Sequence, residues 1–170
     1  MQLSTGTYWW CVITIVVMAL SLGPSFAHLL EAPPRLTVWS PELWREATVF
    51  NAQFMWFAIM GAPLDVGAIL AGAILVYLLR RERTPFRLAV AATVLFAVSL
   101  AVWLSVVAPV NAELATWKPG PVPENFEALR NRWETGHIVM TGIKLCGLVA
   151  AICVGLSAGR ASVARRRERV

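Results

Sequence analysis

The sequence predicts an all-α fold, a four-transmembrane-helix bundle with N and C termini cytoplasmic and helical extensions on the outer side. Three observations lead there. Of 170 residues, 58% are hydrophobic and only 15% charged, with a mean hydropathy of +0.63. That balance excludes an ordinary soluble domain, a disordered chain and a disulfide-stapled secreted module. Four stretches reach the roughly 20 apolar residues that cross a bilayer at about 1.5 Å rise each. Finally, the net charge of +5 comes from cations set at the ends of those stretches. They are not interleaved with aromatics on a polar face, so a nucleic-acid partner is not expected.

The four spans cover about 8–30, 49–79, 86–108 and 136–156. They form one membrane domain, residues 1–158, followed by a basic cytoplasmic tail, 159–170. In span one, Ser25-Phe26-Ala27 resembles a signal-peptidase site, but the first seven residues carry no Lys or Arg, and the segment is expected to stay as a span. Before span two, Ser40-Pro41-Glu42 reads as an N-cap, a proline at the first helical position and an acid in the first turn. That helix is expected to run unbroken into span two. Pro119, Gly120, Pro121 and Pro123 break the chain after span three, and a helical pattern from Glu124 leads into span four. Cys11, Cys146 and Cys153 all lie within spans, where they act as small apolar packers.

Orientation follows from the basic residues of the connections. Arg80, Arg81, Arg83, Arg87, Arg160, Arg165, Arg166, Arg167 and Arg169 face only Glu82 and Glu168. The other two connections and their helix ends hold five cations against seven glutamates. The positive-inside rule puts the first set in the cytoplasm and the second outside, in a multi-pass protein of a bacterial inner membrane. Trp39, Trp44, Trp117 and Trp133 then fall at the outer surface and Trp9 and Trp10 at the inner one, as an interfacial belt would have them.

Charged residues inside a bilayer cost several kcal/mol and usually face the bundle interior. Glu127, Arg130, Glu134, His137, Thr141 and Lys144 recur at steps of three and four, so they share one helix face entering span four. Ser21, Ser25 and His28 share a face of span one, with Glu31 one turn on. His28 and His137 are each near the outer end of their helix, so their depths should match. Asp65 follows Pro63 deep in span two, roughly 17 Å below its outer boundary by helix rise, and Lys144 lies roughly 12–14 Å below the start of span four, a gap that a lysine side chain can close. An ion pair between them would neutralise both charges and lock spans two and four. Gly61, Ala68 and Gly72 share the Asp65 face and allow close approach. Asn111, after Pro109, ends span three at the outer level and either caps the helix or meets a ligand. Phe54, Trp56, Trp103 and Trp133 are candidate aromatic walls of a shared pocket.

The pairs His28/Glu31 and Glu134/His137 each set a histidine three residues from a carboxylate, a spacing used by di-metal bundles. Four readings stay open at this point: a non-haem metal on His28, Glu31, Glu134 and His137, haem on the two histidines, a hydrogen-bond network holding helices together, or acid/base chemistry without metal.

Phe26-Ala27-His28-Leu29-Leu30-Glu31, Pro109-Val110-Asn111 and Leu129-Arg130-Asn131-Arg132-Trp133-Glu134-Thr135-Gly136-His137 together resemble the anthrone oxygenase-like family of small four-helix membrane proteins, largely a domain of unknown function. The resemblance spans about residues 8–158, and Arg-x-Arg-Trp-Glu-x-x-His is its most specific part. It implies a helical membrane bundle and, for some members, oxidation of polycyclic anthrones to quinones with dioxygen. The positions it carries over are His28, Glu31, Asn111, Arg130, Trp133, Glu134 and His137. The chain departs from the pattern near Phe126, where many relatives have Trp, and near Met140, where many have Arg; here the basic group is one turn deeper, at Lys144.

The expected function is an oxygenase-like oxidoreductase, a monooxygenase, acting on a lipophilic aromatic molecule in an outer-leaflet pocket within the bundle. His28, Glu31, Glu134 and His137 are the catalytic candidates, and Asn111, Arg130, Trp133, Asp65 and Lys144 the substrate-binding ones. Partners are the lipid bilayer, the lipophilic substrate and dioxygen, and the favoured reading requires no cofactor. The alternative is a non-catalytic membrane subunit or carrier built around the Asp65–Lys144 pair.

Overall fold

The computed structural model describes the backbone of residues 4–167 and the side chains of residues 4–157. The cations of the basic tail lie outside the described side chains. Helix α1 spans Thr5–Thr37, α2 Pro41–Arg45, α3 Gln53–Leu78, α4 Arg83–Val102, α5 Ala108–Leu114 and α6 Phe126–Arg167. π-helical turns cover Glu46–Phe50, ahead of α3, and Trp103–Val107, which joins α4 to α5. Among the described residues there is no strand. Four helical segments are long and apolar enough to cross a membrane: Thr5–Thr37, Gln53–Leu78, Arg83–Leu114 and Phe126–Ser157. The chain is thus an all-α, multi-pass membrane bundle, and each helix outruns its expected hydrophobic stretch at one end or both, except α3.

The helices form a closed ring. α1 packs on α3, α3 on α4, α4 on α6 and α6 on α1. The start of α1, the end of α6 and the Leu79–Glu82 turn therefore share one end, and the connections around α2 and residues 115–125 share the other, here termed the loop end. The outside of the ring is apolar: Val16, Leu20, Leu70, Leu104 and Val149 are all exposed, as lipid-facing side chains must be.

The inside follows a heptad. Along α1 the buried Cys11, Thr14, Met18, Ser21, Ser25, His28, Ala32 and Arg35 follow alternating steps of three and four, with Leu22 buried beside them. Along α6, Arg130, Glu134, His137, Thr141 and Lys144 form one buried stripe facing α1. Phe126, Trp133, Met140, Gly147 and Val154, seven apart, form a second stripe toward α4 and α5. Such repeats belong to helices crossing at small angles with side chains interlocking. The apolar core is in three storeys. Cys11, Leu75, Leu79, Ala89 and Val154 pack near the termini. Met18, Ala68, Ala92, Phe96 and Ala151 pack at mid-bundle. Trp44, Val107, Val110, Leu114, Phe126, Trp133 and Met140 close the loop end. The polar residues of α1, α3 and α6 lie between the last two.

Local sequence explains the irregular turns. Ser40 caps α2, its Oγ accepting from the Leu43 amide at 3.2 Å, with Pro41 and Glu42 in the first turn as expected. The run from α2 into span two is broken, however. Asn51 ends the π turn and Ala52 takes a left-handed conformation, φ 58°, at which a Cβ is unfavourable. Helix α3 starts afresh at Gln53, which swings its amide toward α1. In the third span, Pro109 has no N–H to give the Ser105 carbonyl four residues back. The helix widens there into a π turn, and Arg132 Nη2–H donates to that carbonyl at 3.1 Å. The prolines Pro24, Pro33, Pro34 and Pro63 are accommodated inside continuous helices.

Two tryptophans correct the belt expectation. Trp44 and Trp133 are core residues, not interfacial anchors, because each indole N–H has a buried acceptor. Trp9 and Trp56 are exposed. Cys11 is buried as expected of a packer, whereas Cys146 is exposed.

Close approach of α4 and α6 depends on Gly147. A Cβ there would lie 2.9 Å from the buried Phe96 ring, whereas one at Gly142 meets nothing within 4 Å. Gly147→Ala should destabilise the bundle by about 1–3 kcal/mol through overpacking. Gly142→Ala should be neutral or stabilising by up to about 1 kcal/mol through helix propensity. Unfolding of both variants in mixed micelles checks this; equal stability of the two would refute the packing argument.

Candidate functional site

The site begins with the buried lysine. Lys144 Nζ donates to Asp65 Oδ1 at 2.6 Å, to Ser25 Oγ at 2.9 Å and to the Ser21 carbonyl at 3.3 Å. Ser21 Oγ–H donates to the same Asp65 Oδ1 at 2.5 Å. An ammonium has three N–H groups, and all three are answered. Asp65 is on α3 and Lys144 on α6, which stand diagonally across the ring, so the pair ties together helices that otherwise scarcely meet. Thr141 Oγ–H reinforces the α1–α6 seam by donating to the Ser25 carbonyl at 2.7 Å.

Two turns toward the loop end lie the histidines. Ser21 and His28 are seven residues apart on α1, and Lys144 and His137 are seven apart on α6. The helices are antiparallel, so each step rises about 10 Å from the clamp and arrives at the same level. The imidazoles are stacked there, ring centroids 3.9 Å apart and planes 21° from parallel. Trp133 meets both edge-on, at 5.0 Å and 4.4 Å, and Phe57 leans on His28 at 4.2 Å. Among the described residues, the His137 ring has no hydrogen-bond partner in the protein, nor does His28 Nε2.

A third layer closes the loop end around Arg35, one of the five cations that the charge pattern assigns to the outer connections and their helix ends. Arg35 is fully buried. It donates to Glu31, to Gln53 Oε1 at 2.8 Å and to His28 Nδ1 at 3.4 Å, and Glu134 Oε1 is 3.8 Å away. Its guanidinium also lies 5.6 Å from the ring centres of Trp39 and Trp133. Trp44 Nε1–H donates to Glu134 Oε1 at 2.9 Å, and Arg130 pairs with Glu127 at 2.6 Å while reaching the Arg35 carbonyl at 3.4 Å. The signal that could have found Arg35 was its step of seven beyond His28. It lies beyond the apolar stretch of span one, 8–30, and so counts with the connection. Trp44 and Gln53 were missed as well, since partners brought in from another element leave no local spacing to read.

The candidates therefore separate into two groups. His28, Asp65, Asn111, Trp133, His137 and Lys144 line one cavity of about 30 Å³, with Phe54, Phe57, Trp103 and Met140 among its walls. Trp56 is not among them; it is exposed. Asn111 Oδ1 accepts from Trp133 Nε1–H at 2.8 Å, so its role in holding that indole is defined. Glu31, Glu134 and Arg130 stand in the Arg35 layer and do not line the cavity. A volume of that size holds one water-sized molecule.

The geometry does not suit the proposed ligand sets for metal or haem. Glu31 is engaged by Arg35 and Glu134 Oε1 by Trp44, while Glu134 Oε2 is buried with no partner among the described residues. Among the described residues, no three His, Cys, Asp or Glu side chains gather as metal ligands would. Stacked imidazoles cannot bind opposite faces of one haem iron. What the arrangement offers is two imidazoles in an apolar, aromatic-walled chamber with a fixed ammonium–carboxylate pair at its floor. Comparison with family models, with curated proteins and with solved structures finds no match.

The clamp makes a thermodynamic prediction. Lys144→Met leaves Asp65 buried without its cation and should cost about 3–5 kcal/mol. Asp65→Asn with Lys144→Met removes both charges and should restore a large part of that loss. Denaturant titration of the single and double variants in micelles measures it; a double variant less stable than the single one rules out a mutually neutralising pair.

Proposed function

We propose that this protein is an anthrone oxygenase-like oxidoreductase that oxidises a lipophilic, enolisable aromatic molecule with dioxygen inside the loop end of the bundle. The observation that carries the reading is the stacked His28–His137 pair on the wall of a cavity shared with Asn111, Trp133, Asp65 and Lys144. The resemblance of the 26–31, 109–111 and 129–137 segments to that family supports the substrate class. The Arg-rich turn between α3 and α4 supports an outward-facing loop end.

The chemistry suits an acid/base site without metal. An imidazole removes a proton from the activated methylene of the substrate, and the electron pair left behind spreads onto the ring carbonyl. The resulting carbanion transfers an electron to dioxygen, and the two radicals join to a substrate peroxide anion, which takes the proton back from the imidazolium to become the hydroperoxide. Loss of water then turns the methylene into a second carbonyl, so that substrate and dioxygen give quinone and water. The aromatic walls favour both guests, since each partitions into apolar surroundings. The cavity is about 30 Å³, and a tricyclic guest requires it to widen.

A second reading rests on the completeness of the Lys144 clamp. A lysine whose three donors are all engaged acts as a brace, which also suits a non-catalytic subunit.

The purified protein in nanodiscs should consume oxygen and form quinone when given an anthrone. His28→Ala and His137→Ala should each lower the rate by about 100-fold or more, the usual contribution of a positioned proton-transfer group or donor, while folding normally. Full activity in both variants eliminates the imidazoles from the chemistry and favours the subunit reading.

A further inference from the structure

The two histidines do not have equal surroundings. Arg35 lies seven residues beyond His28 on α1, and its Nη1 is 3.4 Å from His28 Nδ1. A guanidinium has five donors and no acceptor, so the contact has only one possible direction. Arg35 donates, and Nδ1 must offer a lone pair. The neutral ring then carries its proton on Nε2, and that Nε2 is buried with no protein partner. An imidazolium at the same place would turn an Nδ1–H against an Arg35 N–H.

Arg35 is itself firmly held. Glu31 and Gln53 take Nη2, Glu134 lies beside Nη1, and Trp39 and Trp133 flank the guanidinium. The other charged and titratable groups around the pair are Asp65 on α3 and His137, Lys144 and Arg130 on α6. His137, by contrast, makes no hydrogen bond through its ring with the described residues, so none of them commits either nitrogen as a donor or an acceptor.

We infer that Arg35 is a positioning residue that fixes His28 as an Nε2–H donor and thereby divides the labour of the pair. This rests on the oxidase reading of the same chamber. His137 accepts the methylene proton as its C–H bond breaks. The electron pair moves onto the substrate carbonyl oxygen, and His28 Nε2–H donates a hydrogen bond to that oxygen as its charge grows. His28 gives up no proton and takes none, so it need not pass through the imidazolium that Arg35 opposes.

Because the chain has only two histidines, the tautomer can be read directly. Protein labelled with ring-¹⁵N histidine is placed in nanodiscs, and His28→Gln and His137→Gln serve to assign the signals. In the wild type, His28 should be protonated at Nε2 and bare at Nδ1. In Arg35→Met, signal from an Nδ1–H should appear. An Nδ1–H in the wild type overturns the proposal, as does a tautomer unchanged in folded Arg35→Met. Should Arg35→Met fail to fold, the wild-type spectrum and the kinetics of His28→Gln decide. A glutamine N–H can replace the donor but not a base, so His28→Gln should recover at least tenfold over His28→Ala. His137→Gln should recover nothing over His137→Ala. Equal rescue at both positions overturns the division of roles. The spectra need no substrate, so a protein that oxidises no anthrone refutes the oxidase reading while the tautomer result stands.

Discussion

A cation inside a lipid-facing bundle has no water to fall back on, and the arrangement around Lys144 is shaped by that fact. An unpaired charge at such depth costs several kcal/mol even after relaxation. Lys144 meets the demand with a carboxylate, a hydroxyl and a backbone carbonyl, drawn from α3 and α1. These partners are geometrically exacting. They set the height of α6 against α1 and bridge the diagonal to α3 in one stroke. A slip of either helix by one residue would break several hydrogen bonds at once, so the clamp fixes register more than it adds stability. The stacked histidines depend on this register, because each stands seven residues from the clamp on helices running in opposite directions.

The parts of the site that could be read from sequence were those that repeat along one helix. The stripe from Glu127 to Lys144 has the steps of a buried helical face, and its inner members are buried. The depth match of His28 and His137, and the pairing of Asp65 with Lys144, follow from counting helix rise and from the cost of isolated charge. What could not be read was anything that depends on how a loop returns the chain. The left-handed turn at Ala52 cuts α2 away from α3 and directs Gln53 to Arg35. Trp44 reaches Glu134 from ninety residues away in sequence, and no spacing announces it. The glutamates looked like metal ligands because spacing alone cannot tell a carboxylate serving a metal from one serving a guanidinium. Here Arg35 supplies the positive charge.

The loop end also explains why so many aromatic residues are buried in a membrane protein. Trp44 and Trp133 cross nearly at right angles, 5.6 Å between ring centres, and each spends its single N–H on a group that would otherwise be costly to bury. Trp133 then presents its ring to both imidazoles. One residue thus serves the apolar cap, the middle of α5 through Asn111 and the wall of the chamber. This is economical for a short chain, in which a separate residue for each duty would need a larger cross-section than four helices provide.

The chamber is small for any aromatic guest, and its walls are not equally able to yield. The α1–α6 wall is stitched by the clamp, by Thr141 to Ser25 and by Arg130 to the Arg35 carbonyl. Parting those helices would expose buried charges. The α4 side is closed by Phe96 against Gly147 and by Val106 and Val107 against Gly136, contacts too tight to accept even a methyl group. The α3 wall differs. Its first turns are held to α1 by the Gln53 side chain and by Phe57 against the His28 ring, and a Cβ on Gly61 would meet nothing within 4 Å. Below Gly61 the helix is pinned by Asp65. Of the walls, α3 therefore carries the fewest polar ties beside the cavity, where Phe54 and Phe57 line it above the carboxylate that pins the helix. The clamp thus fixes the floor of the chamber directly below its least constrained wall.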